Sequence, residues 1–150
     1  VLPTEQRTLA TIYVDDPWLD VLKLKNNKKT DSITVVENIY FDYGSWDLLD
    51  AAKITLDKVV KVMKADPSIT IDVSAFTDSR GTDEFNMNLS QKRAQSAVDY
   101  IISKGIDKKR ITGKGYGESK IINKCKDGTD CSDDEHAQNR RTEFKILKVK

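Results

Sequence analysis

The hydrophobic pattern changes period between Ile69 and Gly105. Ile69, Ile71, Val73 and Ala75 alternate with Thr70, Asp72 and Ser74, and this period of two predicts a half-buried strand. From Ser90 to Ser103 the apolar residues Ala94, Ala97, Val98 and Ile101 recur at helical spacing. Ser90 is the predicted N-cap and Lys104-Gly105 the predicted stop. Between strand and helix, Thr77 to Asp83 holds no large apolar residue. Such a loop, leaving the C-terminal end of a strand for a helix, is where α/β proteins commonly place ligands.

The same reading extends both ways. Thr34 to Phe41 is a predicted strand, broken by Asp42-Tyr43-Gly44-Ser45. A helix from about Asp47 to Lys64 carries an apolar stripe of Leu49, Ala52, Leu56, Val59, Val60 and Met63, and Asp66-Pro67 ends it. Arg110–Tyr116 and Arg141–Val149 are the remaining predicted strands, and Ser119–Gln138 is the longest irregular piece. The order βαβαββ predicts an α+β fold of two layers. In it a mixed sheet has both helices packed on one face and right-handed strand–helix–strand crossovers. Residues 1–33 fit no such unit: Thr8–Val14 reads as a strand, and the whole as an arm or the tail of a preceding domain. Residues 34–150 form the expected domain.

Composition narrows the function. The chain of 150 residues has a net charge of +1 with 33% charged residues, a mixed surface without the basic excess that nucleic-acid binding usually shows. No apolar run approaches the ~20 residues that span a bilayer, so no membrane insertion is expected of this stretch. With one histidine and no GxSxG, Walker or HExxH pattern, no nucleophile–base pair can be nominated. Asp42 and Asp78 read as an acid–base pair only weakly, and a binding module is the better reading.

Two features carry candidate chemistry. If Ser90 caps, Arg93 sits in the partly positive first turn, where a cation is disfavoured. It therefore wants an anion, either Asp78 or a bound carboxylate or phosphate. Cys125 and Cys131 share the acidic loop, and a local disulfide leads over a zinc site, for which His136 would be a third ligand. The aspartates of that loop lack the order of an EF-hand. No cofactor is implied.

The sequence Thr77-Asp78-Ser79-Arg80-Gly81, then Phe85-Asn86, then Leu89-Ser90-Gln91-Lys92-Arg93-Ala94, resembles the OmpA-like peptidoglycan-binding domain of OmpA porins, Pal lipoproteins and MotB stators. Asn38-Ile39-Tyr40-Phe41-Asp42, Gly115-Tyr116-Gly117-Glu118 and Asn139-Arg140-Arg141-Thr142-Glu143-Phe144 continue the resemblance over residues 36 to 149. It implies the same fold and non-covalent binding of peptidoglycan through the meso-diaminopimelate of its stem peptide. The setting implied is the periplasmic side of the outer membrane, an oxidising compartment that suits a disulfide. Asp78 matches the contact to the ammonium of the head group and Arg93 the contact to its carboxylate, with backbone N–H groups at Gly81-Thr82 nearby. Phe41, Asp42, Asn86, Leu89 and Arg140 match the edge of the family's site or its motif. Two departures stand out: Ala75-Phe76 replaces a usual Gly-His, and Ile121 lies where a proline is common. The same fold could instead be a protein-interaction module with other envelope proteins as partners, or, as a further rival, a wall-processing enzyme.

Overall fold

The computed structural model describes residues 30–37 and 39–149. Residues 1–29, including the strand expected over Thr8–Val14 and most of the expected arm, lie outside the described residues, as does Asn38.

Strand β1 (Thr30–Glu37) is followed by helix α1 (Asp50–Ala65), strand β2 (Ile69–Phe76) and helix α2 (Asp83–Ser103). A 3-10 turn (Lys108–Arg110), strand β3 (Ile111–Gly117), a short helix α3 (Asp133–Ala137) and strand β4 (Arg141–Val149) complete the chain. The sheet order is β1-β4-β2-β3. β2 and β3 run parallel, and β4 runs antiparallel to both β1 and β2. The mixed sheet and two-layer α+β fold read from the sequence are therefore present.

The alternation in β2 does what it predicts. Ile69, Ile71, Val73 and Ala75 are buried, while Asp72 on the opposite side is exposed. The buried face meets Leu56, Val59 and Met63 of α1 and Ala97, Val98 and Ile101 of α2, with Ile111, Phe144 and Ile146 from the flanking strands. Both long helices thus cover one face, and the other is left largely to polar side chains. Gly105 follows α2 with φ +102°, the left-handed conformation that ends helices, and Ile106 after it is buried in the core.

Three boundaries differ from the sequence reading, each for a physical reason. β1 runs four residues earlier than Thr34–Phe41 because its length is set by its partner. Thr30 pairs with Val149 and Glu37 with Thr142, so beyond Glu37 little of β4 is left to bond. α1 begins at Asp50 rather than Asp47, since Ser45 Oγ accepts the Asp47 N–H and keeps that segment in a turn.

The largest difference is α2. It starts at Asp83, capped by Thr82, whose hydroxyl accepts the Phe85 N–H at 3.1 Å. Asp83 and Glu84 suit the positive end of that helix. Ser90 is no cap: it lies inside the helix, donates to Met87 O at 3.0 Å and accepts the Gly117 N–H at 2.8 Å. Arg93 consequently sits at the middle of a 21-residue helix, and the first-turn penalty expected for it does not apply.

The register also sets where function can sit. Glu37 lies opposite Thr142, and Phe76 lies opposite Arg141 and beside Gly117. The exits of β1, β2 and β3 and the entry to β4 therefore gather at one end of the sheet.

Candidate functional site

The loop after β2 is built from polar groups that satisfy one another. Thr77, Asp78 and Ser79 are buried. Asp78 Oδ2 accepts from Arg80 Nη2 at 2.9 Å and Arg140 Nη1 at 2.7 Å, and Oδ1 accepts the Arg80 backbone N–H at 2.9 Å. Burial works against ionising Asp78, but the hydrogen bonds from Arg80 and Arg140 outweigh it and hold its carboxyl below the ordinary carboxylate value. Asn86, reaching back from the first turns of α2, donates through Nδ2 to Arg80 O at 2.9 Å, Glu118 Oε1 at 3.0 Å and Asp78 O at 3.3 Å. It locks the loop. Ser79 Oγ donates to Cys125 O at 2.6 Å, tying the loop to the segment after β3.

That segment contains the disulfide: Cys125 and Cys131 are bonded to each other. The thiols a zinc ion would need are therefore spent. The capping box of Ser132 and Glu135 then starts α3, which leads to Arg140.

Arg93 reaches the opposite wall. Its Nε donates to Ser45 O at 2.9 Å and its Nη2 to Asp42 O at 3.3 Å, while the guanidinium lies 4.8 Å from the centre of the Phe41 ring. Among the described residues it has no carboxylate partner within ion-pair distance. The pairing with Asp78 offered by the sequence is not made; Arg80 and Arg140 hold that carboxylate instead. Burial lowers the Arg93 pKa, the Arg140 charge adds to this, and Asp78 opposes it. Asp42 contributes a backbone carbonyl, its side chain being exposed and outside the cleft lining.

These walls enclose an open cleft of about 800 Å³. Phe41, Asp78, Gly81, Thr82, Asn86, Leu89, Arg93 and Arg140 all line it. Residues not singled out from the sequence join them: Arg80, and the aromatics Tyr40, Tyr43 and Phe85, which are 69%, 98% and 46% exposed. Arg80 was legible only as one more polar residue of the loop, because its role depends on Asp78 folding back beneath it. Behind the loop, the carboxylates of Asp83, Glu118 and Asp127 come within 4.8 Å of one another. Burial and the neighbouring carboxyls of Asp127 and Asp83 raise the Glu118 pKa to about 7, against the hydrogen bond from Asn86.

The departure at Ala75-Phe76 leaves the cleft alone. Phe76 stacks on Tyr116 at 5.2 Å and lies under the Arg141 guanidinium at 4.0 Å, and neither Ala75 nor Phe76 lines the cleft.

Residues 40–135 match the OmpA family. Two curated relatives show the range of proteins that share this sequence. Photosystem I P700 chlorophyll a apoprotein A2 of Gloeobacter violaceus is 38% identical over 73% of this chain and 13% of its own length. The probable lipoprotein YiaD of Escherichia coli is 34% identical over 76% of this chain and 50% of its own. The chain thus spans half or less of these relatives. Among solved structures, the peptidoglycan-associated lipoprotein of Burkholderia pseudomallei superposes with a TM-score of 0.63 at 25% identity, covering 79% of this chain and 90% of that one.

Proposed function

Because this chain belongs to the OmpA family, we propose that its cleft binds peptidoglycan non-covalently, through the diaminopimelate head group of the stem peptide. The observation that carries this reading is the pairing of two unlike charges on opposite walls. Arg93 is a half-buried guanidinium without a carboxylate partner among the described residues, and Asp78 is a buried carboxylate held ionised. A diaminopimelate side chain ends in an ammonium and a carboxylate on one carbon. Arg93 offers the carboxylate a forked donor that lysine cannot supply. Among the described residues Asp78 Oδ1 accepts only the Arg80 N–H, so it retains a lone pair for the ammonium. Phe41, Leu89 and the Gly81-Thr82 backbone form the remaining walls.

Binding one small polar head group in an open cleft gives modest affinity, and a polymeric wall multiplies it through avidity. The role is to anchor an envelope protein to the cell wall on the periplasmic side of the outer membrane, by binding without turnover. The lipoprotein named for peptidoglycan association, whose fold this chain shares, supports that reading.

The test is calorimetric titration of a diaminopimelate stem peptide, with pull-down on purified sacculi. Asp78→Asn and Arg93→Ala should each weaken binding by a few kcal/mol, because each leaves a ligand charge buried and unpaired. Arg93→Lys keeps the charge, loses the fork and should fall between. Unchanged affinity in both Asp78→Asn and Arg93→Ala would place the site elsewhere.

A further inference from the structure

The charges lining the cleft do not balance for a zwitterionic head group. Three guanidiniums, of Arg80, Arg93 and Arg140, face one carboxylate, Asp78, leaving the lining at a net +2. A head group with one ammonium and one carboxylate brings no net charge and offsets none of this. Asp133 lies outside the lining at 3.3 Å from Arg80 and 3.8 Å from Arg140, but its side chain is 75% exposed and solvent screens it.

Arg80 and Arg140 converge on Asp78 Oδ2 and are thereby fixed side by side. Arg80 spends Nε and Nη2 on Asp78 and Asp133, and Arg140 spends Nη1 on Asp78. Arg80 Nη1 and Arg140 Nε have no acceptor among the described residues. Two neighbouring guanidiniums with donors to spare, held at fixed spacing and partly exposed, are suited to a second anion.

We propose that Arg80 and Arg140 form a second carboxylate subsite, so that the cleft selects stem peptides carrying a free carboxylate besides the one on the head group. This rests on the peptidoglycan reading above and adds a specificity to it. Such a carboxylate has two sources on a stem peptide: the α-carboxyl of the γ-linked glutamate and the C-terminal carboxyl. Arg80 is the specificity-determining residue, with Arg140 shared between holding Asp78 and holding ligand.

Four synthetic stem tetrapeptides distinguish the possibilities. All keep the diaminopimelate head group; one is unmodified, one is amidated at glutamate, one at the C-terminus and one at both. Titrated against the wild-type protein, one single amidation should weaken binding about tenfold, the loss of one charge-assisted bond pair. That arm identifies the carboxylate, and double amidation should cost little more. In Arg80→Gln the ratio between unmodified and amidated peptide should shrink below about twofold, while Arg80→Lys should keep part of it. The ratio is the readout because a general loosening of the loop would weaken all four peptides together. Four peptides binding the wild type equally would overturn the inference and leave the peptidoglycan reading intact. Discrimination surviving in both Arg80→Gln and Arg140→Gln would overturn it too. Binding of none of the four would instead overturn the reading beneath it.

Discussion

Gly115→Ala should be among the most damaging single-methyl changes available in this fold, and the structure says by how much. β3 lies directly against the backbone of α2. A Cβ at Gly115 would stand 2.5 Å from the Ser90 carbonyl carbon and nearer still to the Gln91 amide nitrogen. These are backbone atoms of a helix, so no rotamer change relieves the clash, and strand and helix must part by about 1 Å. Overpacking of this kind costs about 1–3 kcal/mol. The separation also stretches two hydrogen bonds that span the gap, Gly117 N to Ser90 Oγ at 2.8 Å and Gly115 N to Gln91 Oε1 at 2.9 Å, worth about 1 kcal/mol each. The expected loss is about 3–5 kcal/mol, a large share of a typical domain stability of about 5–15 kcal/mol. Gly113→Ala is the graded control. Its Cβ meets Val98 Cγ2 at 2.8 Å, which a side chain can partly relieve, and Ala94 O at 3.1 Å, so about 1–2 kcal/mol is expected. Urea unfolding followed by far-ultraviolet circular dichroism measures both. A loss below about 1 kcal/mol for Gly115→Ala at unchanged m-value would refute the claim that β3 and α2 are in rigid backbone contact.

Further outcomes follow from the loops. Glu118 has a folded pKa of about 7, above its ordinary 4.5, so its protonated form stabilises the fold fully below pH 4.5 and that contribution disappears as pH rises through 7. The melting temperature should fall across that window by the equivalent of about 1 kcal/mol after solvent screening, and Glu118→Gln should flatten the profile. Asp78 acts in the opposite sense: its depressed carboxyl stabilises above pH 3.8, and the contribution is lost as pH falls through the folded value, so Asp78→Asn should blunt acid denaturation. Free-thiol counting on unfolded, unreduced protein should find none. Reduction should cost about 2 kcal/mol for so short a ring and, because Ser79 bonds to Cys125 O, weaken stem-peptide binding by about threefold, which titration in reductant would measure.

Strands and site were unequally legible in the sequence. β2 was readable because one face is buried and the other wet, so alternation records the fold directly. The start of α2 was not: Asp83 to Asn88 is dominated by polar residues, and Ser90 imitates a cap while serving β3 from inside the helix. The motif brings Arg93 and Asp78 forward by resemblance, whereas the first-turn position expected for Arg93 gives way to one at mid-helix, where no dipole penalty acts. Asp42 comes forward by resemblance as a residue of the site's edge, and here its backbone carbonyl, which any residue carries, accepts from Arg93. Arg80 is not legible as a site residue because its place depends on Asp78 folding back beneath it and on Asp133 and Arg140, distant in the chain, meeting at the same cleft.

The position of β4 has a consequence for how the molecule comes into being. It is the last in sequence of the strands among the described residues, yet it occupies the interior of the sheet, bonded to β1 on one side and β2 on the other. As the chain emerges from its N-terminus, β1 has no partner among the described residues until β4, while β2 and β3 can pair across the intervening helix. The two halves join only when residues 141–149 arrive, closing a loop from Val149 back to Thr30. Assembly of the sheet therefore waits for residues 141–149 and is governed by contacts distant in sequence, which slows folding. Until then the nascent chain exposes the unpaired β1 segment and the open edge of the β2–β3 pair, a state that must be kept from aggregating.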